Sequence, residues 1–233
     1  EFTNELEKEV VKEWPRPPFY EAYEAMDLGY KDLTVILFGY HDFRADKVII
    51  EDEIVVDFKQ QDMTLKTVCE KIKQKEKELW YNVMTNEIKK PYLRVSDINY
   101  IVTNEILKHS NGDINFVATK KDDNEAAINN LRIMLSSKKI IIHPRCTTLI
   151  RHLKNVKWDS RGNKNSFARS PDDGHYDAVD ALKYFVRSVV YNKNPYPASY
   201  GYNLQGLHIQ NPEKFNGTSQ MDIYKKIFNV KRK

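Results

Sequence analysis

The fold is decided by residues 20–58, YEAYEAMDLGYKDLTVILFGYHDFRADKVIIEDEIVVDF. Three strand-like runs lie in this stretch. Residues 20–27 alternate in part, 33–40 are almost continuously apolar, and 47–58 are rich in Ile and Val. β-Branched and aromatic side chains suit a pleated, half-buried surface, and the connections at 28–32 and 41–46 have room only for turns. An antiparallel three-strand meander is expected.

Beyond residue 58 the period changes. Leu65, Val68, Cys69, Ile72 and Leu79 recur at helical spacing, with Asp62 or Thr64 as candidate N-caps. A short strand at 91–97 is followed by a helix through Ile101, Val102, Ile106 and Leu107. A strand at 115–118, a helix at 126–135, a strand at 139–142 and helices at 146–156 and 175–190 complete the series. Residues 158–168, which contain Arg161-Gly162, read as a hairpin. Strands first, then helix and strand in alternation, predict an α/β fold. Its mixed central sheet has the antiparallel meander on one side, parallel strands on the other, and flanking helices.

The 233 residues, 41% of them hydrophobic, suffice for one substantial core or two small ones. No run of about 18 apolar residues occurs, so no membrane-spanning helix is expected. The opening EFTNELEKEVVKEW lacks the apolar centre of a secretion signal, and the chain is read as not secreted. Cys69 and Cys146 show no metal-binding spacing and fit a reducing compartment. Residues 1–18 end in Trp14-Pro15-Arg16-Pro17-Pro18 and read as a linker, 19–191 as the domain, and 192–233 as an extension with a basic tail.

The acids are where chemistry is expected. Asp27 closes the first strand just before Gly29, Asp32 ends the same turn, and Asp97 closes the strand at 91–97. Asp177 and Asp180 fall in the first turns of the last helix, after His175. Neighbouring parallel strands end side by side, and a helix starting there completes a carboxylate cluster. Such a cluster suits hard divalent cations, which two-metal phosphoryl chemistry places about 3.5–4 Å apart. Each acid also has an ordinary reading. Asp27, Asp32 and Asp97 suit turns, and Asp177 and Asp180 suit a helix start, solvated opposite the stripe of Val179, Leu182, Val186 and Val189.

Three motifs in order carry a resemblance. Ala25-Met-Asp27-Leu-Gly29 with Asp32-Leu-Thr34, then Val95-Ser-Asp97, then His175-Tyr-Asp177-Ala-Val-Asp180-Ala-Leu-Lys-Tyr184 resemble the metal motifs of the nuclease domain in tailed-phage large terminases. That domain belongs to the RNase H-like (retroviral integrase) superfamily. The resemblance implies a metal-dependent endonuclease that cuts concatemeric viral DNA during packaging. It implies Asp27, Asp97 and Asp177 as the catalytic metal triad and Asp180 as a further ligand or supporting acid. Asp32 and His175 would be auxiliary, with His175 orienting a ligand or meeting phosphate. Two Mg²⁺ or Mn²⁺ ions would be held. Full large terminases also carry an ATPase motor, whose G-x-x-x-x-G-K-[ST] loop does not occur in these 233 residues. The chain is thus expected to be the nuclease domain, with the ATPase domain, the small terminase and the portal as family-level partners in the host-cell cytoplasm.

The net charge of +4 permits nucleic acid as a partner without demanding it. Between 145 and 169 stand seven basic residues, Arg145, Arg151, Lys154, Lys157, Arg161, Lys164 and Arg169, against the single acid Asp159. They are the expected contacts to double-stranded DNA, read through phosphates and not bases. Trp80, Tyr81, Tyr92 and Tyr100 are expected in the core or facing another subunit. The rivals are a junction resolvase or ribonuclease H of the same superfamily, and a catalytically silent DNA-binding or docking module.

Overall fold

In a computed structural model, the structure describes residues 2–29, 32–59, 63–83, 85–119, 122–157, 175–198 and 200. The chain divides into units 1–193 and 194–233, and everything that follows concerns the first. The elements in order are α1 (Asn4–Val10), β1 (Glu21–Asp27), β2 (Leu33–Asp42), β3 (Lys47–Asp57), α2 (Leu65–Trp80), β4 (Tyr81–Asn82), β5 (Glu87–Ile88), β6 (Leu93–Ser96), α3 (Tyr100–His109), β7 (Val117–Ala118), α4 (Asn124–Ser136), β8 (Ile140–Ile142), α5 (Thr147–Asn155) and α6 (Asp177–Ser188).

Six strands form one sheet in the order β7-β6-β1-β2-β3-β8. The meander is antiparallel, while β6 on β1, β7 on β6 and β8 on β3 are parallel. The expected mixed sheet is present, but the meander is central, with parallel strands at both edges, β6 and β7 beyond β1 and β8 beyond β3. Its two faces are separately filled. Tyr23, Ala25, Val35, Leu37 and Val95 pack against Leu131, Leu135, Leu149, Leu153, Leu182 and Phe185 of α4, α5 and α6. Ala22, Met26, Ile36 and Phe38 pack against Val68, Cys69, Ile72, Trp80 and Ile106 of α2 and α3. Burial on both faces explains why residues 33–40 read as an unbroken apolar run instead of alternating.

A bulge in β3 lets one strand serve both layers. Gly39 pairs with Ile50 and Phe38 with Asp52, so Glu51 is the extra residue. The strand's parity inverts there: Val48 and Ile50 face α5 and α6, whereas Ile54 and Val56 face α2. Gly39 is what the bulge requires, since a Cβ at that position would lie 2.0 Å from the Ile49 carbonyl oxygen.

Several local features depart from the sequence reading. Residues 1–18 have a linker's composition, yet Val10 is fully buried, Val11 bridges to Ile142 and the Lys12 N–H donates to the Ile142 carbonyl at 3.0 Å. The β4–β5 hairpin, turned by Asn86 at φ 55°, was not anticipated because its strands are two residues long and exposed. Of the four aromatics expected in the core or facing another subunit, Trp80 is buried beside Phe38, whereas Tyr81, Tyr92 and Tyr100 are exposed. Tyr81 opens the hairpin and Tyr100 starts α3, so neither points at a layer. Cys69 and Cys146 are buried and free. Thr64 caps α2, accepting from the Thr67 N–H; Asp62, the expected hairpin at 158–168 and the basic tail lie outside the described residues. Among the described residues no helix is long and apolar enough to cross a membrane.

Candidate metal centre

Parallel pairing of β1 with β6 aligns Met26 with Ser96, so the next residues along, Asp27 and Asp97, emerge side by side at the sheet's edge. The turn after Asp27 is fastened by Thr34, whose hydroxyl accepts from the Gly29 N–H at 3.1 Å and donates to the Gly29 carbonyl at 3.2 Å. Gly29 is needed here: a Cβ would stand 2.6 Å from the Leu33 carbonyl oxygen. The same turn brings the Leu33 backbone N–H to the Asp177 carboxylate.

Helix α6 packs on β1 and β2, and the charges of its first-turn acids Asp177 and Asp180 act on Asp27 at the end of β1. Its start is fixed by α5. Buried His152 accepts from the Ala178 N–H at 3.4 Å and packs edge-on to Tyr176, whose hydroxyl donates to the Asn155 carbonyl at 2.8 Å. Asp177 is only 6% exposed, so the expectation of a solvated first-turn acid fails there; its Oδ2 is buried with no hydrogen-bond partner. Asp180 pairs with the buried ammonium of Lys183. One turn on, Tyr184 hydrogen-bonds to Asp97. Asp32 pairs with His175 at 3.8 Å, both partly exposed, and its charge acts on Asp177.

The electrostatics tie these acids into one group. Burial, then the charges of Asp180, Asp97 and Asp177, raise the Asp27 carboxyl to about 8, and Lys183 opposes them. Burial, then Asp32 and Asp180, raise Asp177 to about 7. Burial and the charges of Asp27, Asp180 and Asp97 also push the Tyr184 phenol up. Carboxylates that hold their protons near neutrality resist ionising together, and a bound cation removes that resistance.

The donors suit a hard divalent ion: all are carboxylates, and one buried oxygen lacks a partner. As the side chains are oriented, however, no three His, Cys, Asp or Glu residues among those described converge as a ready metal cage. Asp180 is turned to Lys183, Asp97 to Tyr184 and Asp177 to Leu33. Metal binding here would therefore need side-chain rotation.

Lys183, Tyr184 and His152 were not singled out in the sequence. The first two were legible by spacing, since 177, 180 and 184 follow the helical repeat and Lys183 is three residues after Asp180. The expected DNA face is less available than its charges suggest. Lys154 is paired with Glu7 at 2.7 Å, and Arg145 contacts the His143 ring and, at 3.5 Å, Asp52. Arg151 and Lys157 are exposed, whereas Arg161, Lys164 and Arg169 lie outside the described residues.

No described family and no curated protein matches the chain by sequence. Solved structures do match in shape. A large terminase from one thermophilic bacteriophage is 17% identical with a TM-score of 0.62 over 79% of this chain and 43% of its own. The nuclease domain of the P22 large terminase is 13% identical, TM-score 0.59, over 78% of this chain and 88% of its own. The large terminase nuclease of another thermophilic phage, G20c, solved with bound zinc, is 15% identical, TM-score 0.51, over 79% and 96%. The chain spans less than half the length of the first of these proteins and most of the length of the isolated nuclease domains. It has the RNase H-like fold of the nuclease domain of phage large terminases.

Proposed function

We propose that this chain is a divalent-metal-dependent endonuclease domain that cleaves double-stranded viral DNA during genome packaging. The observation that carries the reading is the coupled group of Asp27, Asp97, Asp177 and Asp180, placed by strand ends and a helix start in the terminase nuclease fold. These acids would hold two Mg²⁺ or Mn²⁺ ions, which when bound supply positive charge for activating water and for stabilising the departing 3′ oxygen.

The chain's own residues have distinct tasks. The Leu33 N–H fixes the Asp177 carboxylate, whose Oδ2 is buried and has no hydrogen-bond partner. The Tyr184 hydroxyl holds Asp97. His175 and Asp32 stand at the exposed margin, suited to orienting a ligand or meeting a phosphate. Arg151 and Lys157, with Arg161, Lys164 and Arg169, would bind the DNA backbone without reading sequence. The ATPase domain, small terminase and portal are the proposed partners in the host cytoplasm, with 1–18 the connection to the motor and 192–233 an extension.

The test is cleavage of supercoiled plasmid with Mn²⁺, Mg²⁺ or EDTA by the wild type, Asp27→Ala and Asp177→Ala. Metal-dependent nicking and linearisation lost in both variants is the expected result. Folded protein that binds DNA and never cuts it would favour a silent docking module. Preference for a four-way junction or for an RNA–DNA hybrid would favour the resolvase or ribonuclease H readings.

A further inference from the structure

Lys183 has no place in the reaction outlined above, yet it sits at its centre. The residue is 7% exposed, although a lysine is seldom buried unless paired. Its ammonium bonds to Asp180 one turn back, lies 5.2 Å over the ring of Tyr184, and opposes the burial and carboxylate repulsion that raise the Asp27 carboxyl. Tyr184 in turn binds Asp97, so the ammonium lies against one acid and over the ring of a residue that holds another. Meanwhile the acids do not converge as a cage, and the one turned away by an ion pair is the partner of Lys183.

We propose that Lys183 is a built-in counter-cation that occupies the acid cluster in the metal-free protein and must be displaced when a divalent ion binds. The inference rests on the metal-centre reading. Four carboxylates gathered with no cation destabilise the fold, and a tethered ammonium offsets part of that repulsion before metal arrives. The same ammonium competes with metal for Asp180, which sets metal affinity lower than the acids alone would give. Displacement needs only rotation of a flexible four-carbon stem toward the margin of the site.

The experiment is calorimetric titration of Mn²⁺ into metal-stripped wild type, Lys183→Met and Lys183→Arg, with melting temperatures in EDTA and in saturating Mn²⁺. Removing one contact charge is worth about tenfold in affinity even with strong screening. Lys183→Met should therefore bind Mn²⁺ ~10-fold tighter or more, melt lower in EDTA, and recover in Mn²⁺. Lys183→Arg should stay near wild type. Equal Mn²⁺ affinity in wild type and Lys183→Met overturns the counter-cation and leaves the metal centre standing. Binding by Lys183→Met alone supports it most strongly, and binding by neither chain overturns both readings. If Lys183→Met does not fold, amine acylation of the wild type read by mass spectrometry decides. Lys183 should be protected in EDTA and labelled in Mn²⁺; unchanged labelling overturns the proposal.

Discussion

Glu24 and Arg94 are partners in the parallel register of β1 and β6, and their side chains meet as a buried ion pair, Nε to Oε2 at 2.9 Å. Three residues further along the same two strands stand Asp27 and Asp97. Arg94 also binds Glu76 of α2 and the Asp113 carbonyl, so one guanidinium joins two strands, a helix and a loop. A slip by one residue would invert the faces of β6 and separate the acids. The pair thus specifies the alignment on which the centre depends.

Arg94→Met should accordingly cost about 3–5 kcal/mol, because it leaves Glu24 and Glu76 buried without their cation. Burial already drives the Glu24 carboxyl well above its usual range even with Arg94 present. Replacing all three, as Glu24→Leu/Glu76→Leu/Arg94→Met, should restore most of the loss. Urea denaturation of both proteins measures this, and a triple variant no more stable than the single would show that the ions themselves are required.

Asp27 at about 8 and Asp177 at about 7 shape the pH dependence of the metal-free protein, with Glu24 and Glu53, also raised by burial, acting in the same direction. Both aspartyl carboxyls bind a proton more tightly in the folded chain than at the unfolded value of about 3.9. From about pH 4 to 8 the folded state therefore keeps protons that the unfolded state has lost, and stability falls as pH rises. His41 and His143, held below their usual value by burial, act oppositely, but only below about pH 7, where the unfolded histidines take up protons. Between pH 7 and 8.5 in EDTA the melting temperature should drop, and Asp27→Asn should flatten that drop. An identical slope in Asp27→Asn would remove Asp27 as its source.

Mn²⁺ or Mg²⁺ should stabilise the wild type by ~2.7 kcal/mol at a hundredfold excess over Kd, since only the folded chain assembles the centre. For a domain of this size that is a rise on the order of 5–10 °C. Asp97→Asn keeps the side chain's shape and its capacity to accept from Tyr184 but removes the charge, so most of the rise should vanish in a thermal melt. A full rise in Asp97→Asn would place the ion elsewhere.

Much of this was legible in the sequence because it follows from periodicity. The meander, the α/β alternation and the end positions of Asp27, Asp97 and Asp177 need only the spacing of apolar residues and the parallel pairing it implies. The bulge was not legible, since Glu51 is an ordinary strand residue and its cause, Gly39, lies on the neighbouring strand. Docking of residues 1–18 rests on Val10 with Phe2, Leu6 and Val11, apolar residues scattered among charges. The basic run at 145–169 promised an open face, but partners for Arg145 and Lys154 come from Asp52 and Glu7, remote in sequence. Pairings across more than ninety residues leave no local trace.

Two glycines give the last test, because both are confined by backbone and only one touches the centre. A Cβ at Gly39 would meet the Ile49 carbonyl at 2.0 Å, and one at Gly29 would meet the Leu33 carbonyl at 2.6 Å. Neither obstacle is a side chain that can rotate away, so Gly39→Ala and Gly29→Ala should each cost ~1–3 kcal/mol in denaturation. Their effects on metal should diverge. Gly39 lies at the bulge, and the Gly39→Ala protein that folds should keep the full Mn²⁺-induced rise in melting temperature. Gly29 shares its turn with Leu33, whose N–H holds Asp177, so displacing that segment should release the carboxylate and reduce the rise. Equal rises in the two variants would mean that the turn after Asp27 shapes the fold but not the metal centre.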